Sequence, residues 1–298
     1  MSLPKELLAK IYEIEIITKK RTDDLNPGSH PSVFLGEGFD FEEHREYFPG
    51  DDIKKIDWHL LARIPDKVYV KYYRETKQLT IWILADLSAS MRFGFADLTK
   101  KELMIKSMAY LGFSAAHELD KVGAILFADK IKKQLRPKNS KSWVHYMLNE
   151  AWDFSCSKNT DIVKSLKEAC NYLRKSDIVF LLSDFLDNDC LKHDSGFWQE
   201  IRNMVGIHDL IPVVLEEDES FLLNVEGNLS LKDLESGKRI NFRASNKNRD
   251  EFIKMLQERH GILRKLFIES GTRAIFIKSD VDMDKFLKFF LIRKKRRG

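Results

Sequence analysis

Five short apolar runs, separated by stretches of helical spacing, constrain this chain more than any other feature. They are Leu79–Ala85, Val122–Phe127, Ile178–Ser183, Asp209–Leu215 and Arg273–Ile277. Runs of this length without polar alternation read as strands covered on both faces. Between them, residues 99–120 place Leu103, Met104, Ser107, Met108, Leu111 and Ala115 on one side of a helix. Further helical patterns fill about 140–151, 161–174 and 247–270, and a final helix follows the last run. Buried strands alternating with helices predict an α/β fold with a doubly wound, mainly parallel, Rossmann-like sheet. In such sheets ligands sit beyond the carboxyl ends of the strands.

The rest of the chain reads differently. Residues 4–20 carry Leu7, Leu8, Ile11, Ile14 and Ile17 at helical spacing, and Asn26-Pro27-Gly28 lies beyond them as a stop. Residues 32–79 predict short strands and turns, with a strand at Val68–Tyr73. A hairpin is expected at 229–243, turning on Glu235-Ser236-Gly237-Lys238. The reading divides the chain into an N-terminal helix plus β-rich segment over 1–79 and an α/β domain over 80–298. The second carries a hairpin insertion near 216–245, which is expected to pair with the N-terminal segment as a small β subdomain.

Composition narrows the function. Fifty basic and 46 acidic residues leave a net charge of +4, too even for a nucleic-acid binder. Cys156, Cys170 and Cys190 are odd in number and widely spaced, against a disulfide scaffold or a zinc site. Charges scattered through Met1–Lys20 break any signal-peptide core, and no stretch reaches the roughly 18 apolar residues of a membrane span. A cytoplasmic protein is expected. The basic run Arg293-Lys294-Lys295-Arg296-Arg297 follows Phe286, Leu287, Phe289, Phe290, Leu291 and Ile292. That mixture suits either an anionic lipid surface or a final helix covering the sheet, with its cations at the helix C-terminus.

Three polar clusters fall where the topology predicts a ligand. Asp86-Leu87-Ser88-Ala89-Ser90 closes the first run, Ser183-Asp184 closes the third, and Asn159-Thr160-Asp161 opens a helix between them. A hard divalent cation takes oxygen ligands and keeps several waters. The hydroxyls of Ser88, Ser90 and Thr160 suit direct ligation, and Asp86 and Asp184 suit support from behind through waters and hydroxyls. Neutral direct ligands leave the ion able to accept a carboxylate from a partner. The same residues also read as a turn with helix caps, Thr160 being an N-cap. Order and spacing resemble the metal-ion-dependent adhesion site of von Willebrand factor A domains, over roughly residues 80–215. That resemblance implies Mg²⁺, or Mn²⁺ or Ca²⁺, bound by Asp86, Ser88, Ser90, Thr160 and Asp184.

Upstream, residues 36–63 hold Gly36-Glu37-Gly38, Arg45-Glu46-Tyr47-Phe48-Pro49-Gly50-Asp51-Asp52, Ile56-Asp57-Trp58 and Ala62-Arg63. Pro49-Gly50-Asp51-Asp52 is a turn and Trp58 is expected to be a packing anchor. Arg45, Asp51, Asp52, Asp57 and Arg63 suggest a paired charge network joining the two parts of the chain. The block resembles the signature of the bacterial domain of unknown function family fifty-eight, in which a similar segment precedes a von Willebrand A domain. Together the two resemblances span about residues 30–280. Lys54 and Lys55 stand where members often carry Arg, and the membrane helices of many longer members are absent. The resemblance implies a MoxR-type AAA+ ATPase as partner and a role in assembling or maturing other proteins, through an acidic residue of the client. The rival reading is a metal-dependent hydrolase. A phosphatase of the haloacid dehalogenase type would need an Asp where Ser88 stands, and a nuclease would use Asp51, Asp52 and Asp57 with Lys71 as helper. No Walker-type phosphate loop is present.

Overall fold

The computed structural model describes residues 3–25, 39–75, 78–92, 99–154, 161–216, 227–232, 239–244, 246–279 and 286. Its first elements are α1 (Lys5–Leu25), β1 (Phe39–Glu46), α2 (Trp58–Arg63) and β2 (Tyr69–Glu75). Next come β3 (Thr80–Asp86), α3 (Lys100–His117), β4 (Lys121–Phe127), β5 (Ile131–Lys138), α4 (Lys141–Asp153) and α5 (Ile162–Cys170). Then follow β6 (Ile178–Ser183), α6 (Gly196–Ile207), β7 (Asp209–Leu215), β8 (Gly227–Lys232), β9 (Arg239–Ala244), α7 (Asn246–Glu269) and β10 (Ile275–Ile277).

Six strands form the central sheet in the order β10-β7-β6-β3-β4-β5. All neighbours run parallel except β5, which is antiparallel to β4 at the edge. The chain leaves β3 toward β4 and β5, then returns to the other side of β3 for β6, β7 and β10. This reversal puts the topological switch point between β3 and β6, where a doubly wound sheet opens a crevice.

Strand periodicity builds the two helical layers. Ile81, Ile83 and Ala85 of β3 face one layer, with α1, α3 and α4, while Trp82 and Leu84 face the other, with α5, α6 and α7. All five are buried, as expected for a strand covered on both sides. α3 is buried along most of its length because α1 and α4 cover its outer face. It starts on a capping box: Glu102 N donates to the Thr99 hydroxyl at 3.2 Å, and Thr99 N donates to the Glu102 carboxylate at 2.8 Å. Each fully buried Leu, Ile or Phe of this core contributes about 1.5–3 kcal/mol.

Several expectations need correction. α1, grouped on sequence with the signature segment, packs on α3, and its Leu7 and Ile11 are part of the main core. An amphipathic stripe must be buried somewhere, and the outer face of α3 supplies the apolar surface. β1 and β2 form one two-stranded antiparallel sheet and β8 and β9 another, so among the described residues the segment and the insertion do not pair with each other. The β8–β9 hairpin itself lies where expected, while its turn at 235–238 lies outside the described residues. The same holds for the basic run at 293–297. Phe286 is described, and it is fully buried with its ring edge-on to Phe180, centroids 5.9 Å apart. No helix of the described residues is long and apolar enough to cross a membrane.

Candidate metal centre

β3 and β6 are adjacent, with Ala85 opposite Leu182, so the residues after each strand leave the sheet side by side at the switch point. Asp86 ends β3 and is 2% exposed. Its Oδ1 accepts the Ser88 amide at 2.8 Å and its Oδ2 accepts the Ser183 hydroxyl at 2.7 Å. The first of these bonds folds the chain back on itself, as an Asp side chain readily does. A single 3-10 turn, Ala89–Arg92, follows. The hydroxyls of Ser88 and Ser90 consequently meet, Oγ to Oγ at 2.9 Å.

The loop after β6 is shaped by strain. Phe185 has a φ of 49°, in the left-handed region that costs a residue with a Cβ about 1–2 kcal/mol. Three contacts hold it there. Its amide donates to Ser183 Oγ at 3.0 Å, its carbonyl accepts the Arg259 guanidinium from α7, and its buried ring meets Phe197 and Phe267 edge-on. The sharp turn places Asp184, Leu186 and Asp187 around a small cavity that Asp86, Ser88, Ser90 and Ser183 line from the other side. Ile162, Phe185 and Cys190 supply apolar wall.

Asp184 is also buried. Its Oδ1 accepts the Leu186 amide at 3.2 Å, and its Oδ2 accepts the ammonium of Lys100, the first residue of α3, at 2.7 Å. The two side chains are 1% and 5% exposed. Burial, followed by the negative charge of Asp184, pushes Asp86 up to about 7, against the opposing pull of its hydrogen bonds from Ser183 and Ser88. A site that holds two carboxylates so far from water gains from any cation that enters it.

Thr160 lies outside the described residues. Its neighbour Asp161 is the N-cap of α5, accepting the Lys164 amide at 2.9 Å, so the capping role that the sequence suggested for Thr160 falls to Asp161. The Asp161 amide donates to the carbonyl of Ala128 at 3.1 Å, which ties this loop to the carboxyl end of β4. The expected ligands that line the cavity are thus oxygen donors throughout, two carboxylates and two hydroxyls, and suit a hard cation. Among the described residues no three His, Cys, Asp or Glu side chains gather into a metal-binding group, so hydroxyls have to carry part of the ligation. Sequence reasoning missed three contributors here. Lys100 carries no signal beyond its place at a helix start, Ser183 reads as the last residue of a strand, and Asp187 reads as loop.

The signature block resolves into separate pieces. Arg45 Nη2 donates to Asp51 Oδ1 at 2.6 Å, and the Phe48 amide donates to Asp51 Oδ2 at 2.8 Å. These two bonds, the amide first, hold Asp51 below the usual carboxylate range. Asp52 caps a 3-10 turn by accepting the Lys54 amide at 3.0 Å. Asp57 caps α2 through the amides of His59 and Leu60 and also meets His44 at 2.9 Å and Lys71 at 3.4 Å. The His44 contact is the largest influence lowering Asp57 to about 2, with the Leu60 amide and Lys71 adding to it. Every described partner of Asp51, Asp52 and Asp57 lies within residues 44–71, so among the described residues these three carboxylates do not join the two parts of the chain. Arg63 makes no ion pair among the described residues. The three carboxylates serve different groups and do not converge, which leaves a nuclease centre built on them without its geometry. Trp58, expected to anchor packing, is 59% exposed. The reason is local: the Asp57 cap fixes the start of a six-residue helix with no buried face.

The sequence model of the family described as "Protein of unknown function DUF58" matches residues 43–261, running from the signature block through the α/β core. The chain belongs to this family. The chain is similar to an uncharacterized protein of Mycobacterium tuberculosis, 22% identical over 297 residues, covering 98% of this chain and 91% of that one. An uncharacterized protein of Mycobacterium bovis matches to the same extent, with 22% identity over 98% of this chain and 91% of its own. Among solved structures, the DUF58 chain is similar to the conserved hypothetical protein BatB of Bacteroides thetaiotaomicron, with 14% identity, a TM-score of 0.49, and coverage of 74% and 100% of the two chains. A von Willebrand factor type A structure from Catenulispora acidiphila is similar at 10% identity and a TM-score of 0.39, covering 74% of this chain and 43% of that one. The DUF58 chain carries a mainly parallel sheet with helices on both faces and Asp-x-Ser-x-Ser at the switch point.

Proposed function

We propose that this DUF58 chain is a protein-binding module whose switch-point site takes a divalent cation and, through it, an acidic side chain of a partner. The observation that carries the reading is the meeting of Ser88 and Ser90 hydroxyls beside Asp86 and Asp184 at the carboxyl edge of β3 and β6. Ser88 and Ser90 would hold the ion directly, with Thr160 as a further hydroxyl, and Asp86 and Asp184 would orient what surrounds it. Mg²⁺ is the ion we favour, with Mn²⁺ and Ca²⁺ as alternatives of the same oxygen chemistry. When bound, such an ion offers a Lewis-acidic position to a carboxylate. The chain's own residues do the remaining work. Asp86 fixes the Ser88 turn, Ser183 fixes Asp86, and the strained Phe185 turn presents Asp184.

The family resemblance implies a MoxR-type AAA+ ATPase as partner, and we adopt it as the first candidate, in the cytoplasm. Two observations are consistent with this setting. Cys170 and Cys190 are free thiols, as a reducing compartment favours. In the signature block and just after it, Phe48, Ile53, Trp58 and Ile64 are all exposed, between 46% and 62%, and exposed large apolar side chains mark surfaces that meet other proteins.

The test is capture of partners on immobilised protein in Mg²⁺ and in EDTA, for wild type and Asp86→Ala. Capture of the ATPase or an acidic client should require Mg²⁺ and be lost in Asp86→Ala. Thermal unfolding provides the direct readout, with roughly 2.7 kcal/mol of stabilisation at a hundredfold excess of ion over its Kd. Partner capture that is identical in EDTA would sink the metal-dependent mechanism.

A further inference from the structure

Lys100 is the feature of the site that the metal-binding reading does not use. It is the first residue of α3, set there by the Thr99–Glu102 capping box, and its ammonium lies 2.7 Å from Asp184 Oδ2. The lysine side chain is 1% exposed and the carboxylate 5%, so this is a buried ion pair and not a surface contact. It engages the same carboxylate that lines the cavity beside Asp86, Ser88 and Ser90.

The charge arrangement decides how such a site responds to a divalent ion. Among the buried groups, Asp86 and Asp184 when ionised, together with Lys100, leave the site a net charge of minus one, while Asp187 lies on its exposed rim, where water screens it. A divalent ion then brings it to a net positive charge, and a single carboxylate from outside returns it to neutrality. Without Lys100, the ion alone would suffice. Like charges this close in a dry environment repel strongly, because little solvent screens them.

We propose that Lys100 is a resident counter-cation of the site, which opposes a divalent ion bound alone and favours one bound together with an anionic ligand. This rests on the reading of the site as a metal centre. The lysine holds Asp184 in place while no ion is present. It also couples occupancy by the ion to capture of an acidic partner, so that the ion is held more weakly until a partner arrives. Lys100 is accordingly a positioning residue and not a metal ligand.

Mn²⁺ titration by calorimetry tests this, on wild type, Lys100→Met, Lys100→Arg and Asp86→Ala, in chloride and in acetate of equal ionic strength with the weak Mn²⁺–acetate association subtracted. Charges within about 4–6 Å shift ionisation equilibria by about 1–3 powers of ten, and a tightening of at least about tenfold is expected for Lys100→Met in chloride. Lys100→Arg should remain near wild type, and acetate should raise the affinity of wild type more than that of Lys100→Met. If Lys100→Met does not fold, Lys100→Gln replaces it. In the wild-type protein, the side-chain ammonium resonance of Lys100 should also move when Mg²⁺ is added. Asp86-dependent Mn²⁺ binding that is equal or weaker in folded Lys100→Met overturns the role of Lys100 and leaves the metal centre standing. An unmoved ammonium resonance in metal-loaded wild type does the same. Absence of Asp86-dependent binding in both wild type and Lys100→Met overturns both readings.

Discussion

At the scale of single residues, the centre is governed by where charge has been buried. Asp86 is pushed up to about 7 by burial and then by Asp184, well above the ordinary carboxylate value near 4. The folded protein therefore holds this proton more tightly than the unfolded chain does. The contribution of Asp86 to stability is full below about pH 4 and is lost as pH rises from about 4 to about 7. A cation that prefers the ionised carboxylate offsets the loss, so stabilisation by Mg²⁺ should be small at pH 5 and larger at pH 8. Urea unfolding at these two pH values, with and without Mg²⁺, measures both slopes, and Asp86→Asn should flatten them. An unchanged slope in Asp86→Asn would mean that another group titrates. Asp86, Ser88, Ser90 and Asp184 were legible in the sequence because their spacing alone places them after two strands. Lys100 was not, because its partner lies 84 residues away.

Elements follow the sequence where both of their faces are buried and depart from it where one edge is free. β3, β4, β6 and β7 stand where continuous apolar runs predict them. The reading assigns no strand to β5, Ile131–Lys138, whose lysines and Pro137 interrupt any apolar pattern. Both features suit an edge strand, where charge and proline discourage pairing with another chain. Its docking depends on Gly123 of β4, since a Cβ there would lie 2.6 Å from the Leu135 carbonyl oxygen and 2.9 Å from the Pro137 ring. Backbone cannot yield as a flexible side chain would. Gly123→Ala is expected to cost about 1–3 kcal/mol, the range for overpacking. Chemical unfolding checks the loss, and faster amide exchange confined to β5 and its neighbour would locate it. Exchange unchanged along β5 would refute the close-approach argument. α6 is likewise not among the helices expected from sequence, although Phe197, Trp198, Ile201 and Met204 form a buried stripe.

The whole molecule is a sheet whose two faces need cover, and covering them recruits segments from both ends of the chain. α1 shields α3, and Phe286 seats against Phe180 of β6 from the same side of the sheet. Phe286 is fully buried, so Phe286→Ala removes a ring from the core and should cost about 3–5 kcal/mol. Denaturant midpoints of wild type and variant measure this directly. A loss under 1 kcal/mol would show that the segment around Phe286 adds little to the core and is available for other contacts.

The alternation of apolar runs with helical spacing was enough to determine the fold class, because short continuous apolar runs between amphipathic helices mark strands covered on both faces. The same local logic located Asp86, Ser88, Ser90 and Asp184, each attached to a strand end. Long-range matters could only be decided by the tertiary structure. It put α1 in the main core and kept the β1–β2 and β8–β9 pairs in separate sheets. Among the described residues it kept the partners of Asp51, Asp52 and Asp57 within residues 44–71, left Trp58 exposed, and brought Lys100 to Asp184. These are pairings between distant residues or choices of which surface gets covered. A linear sequence carries the capacity for each side chain to bury or to pair, and only the folded geometry selects the partner.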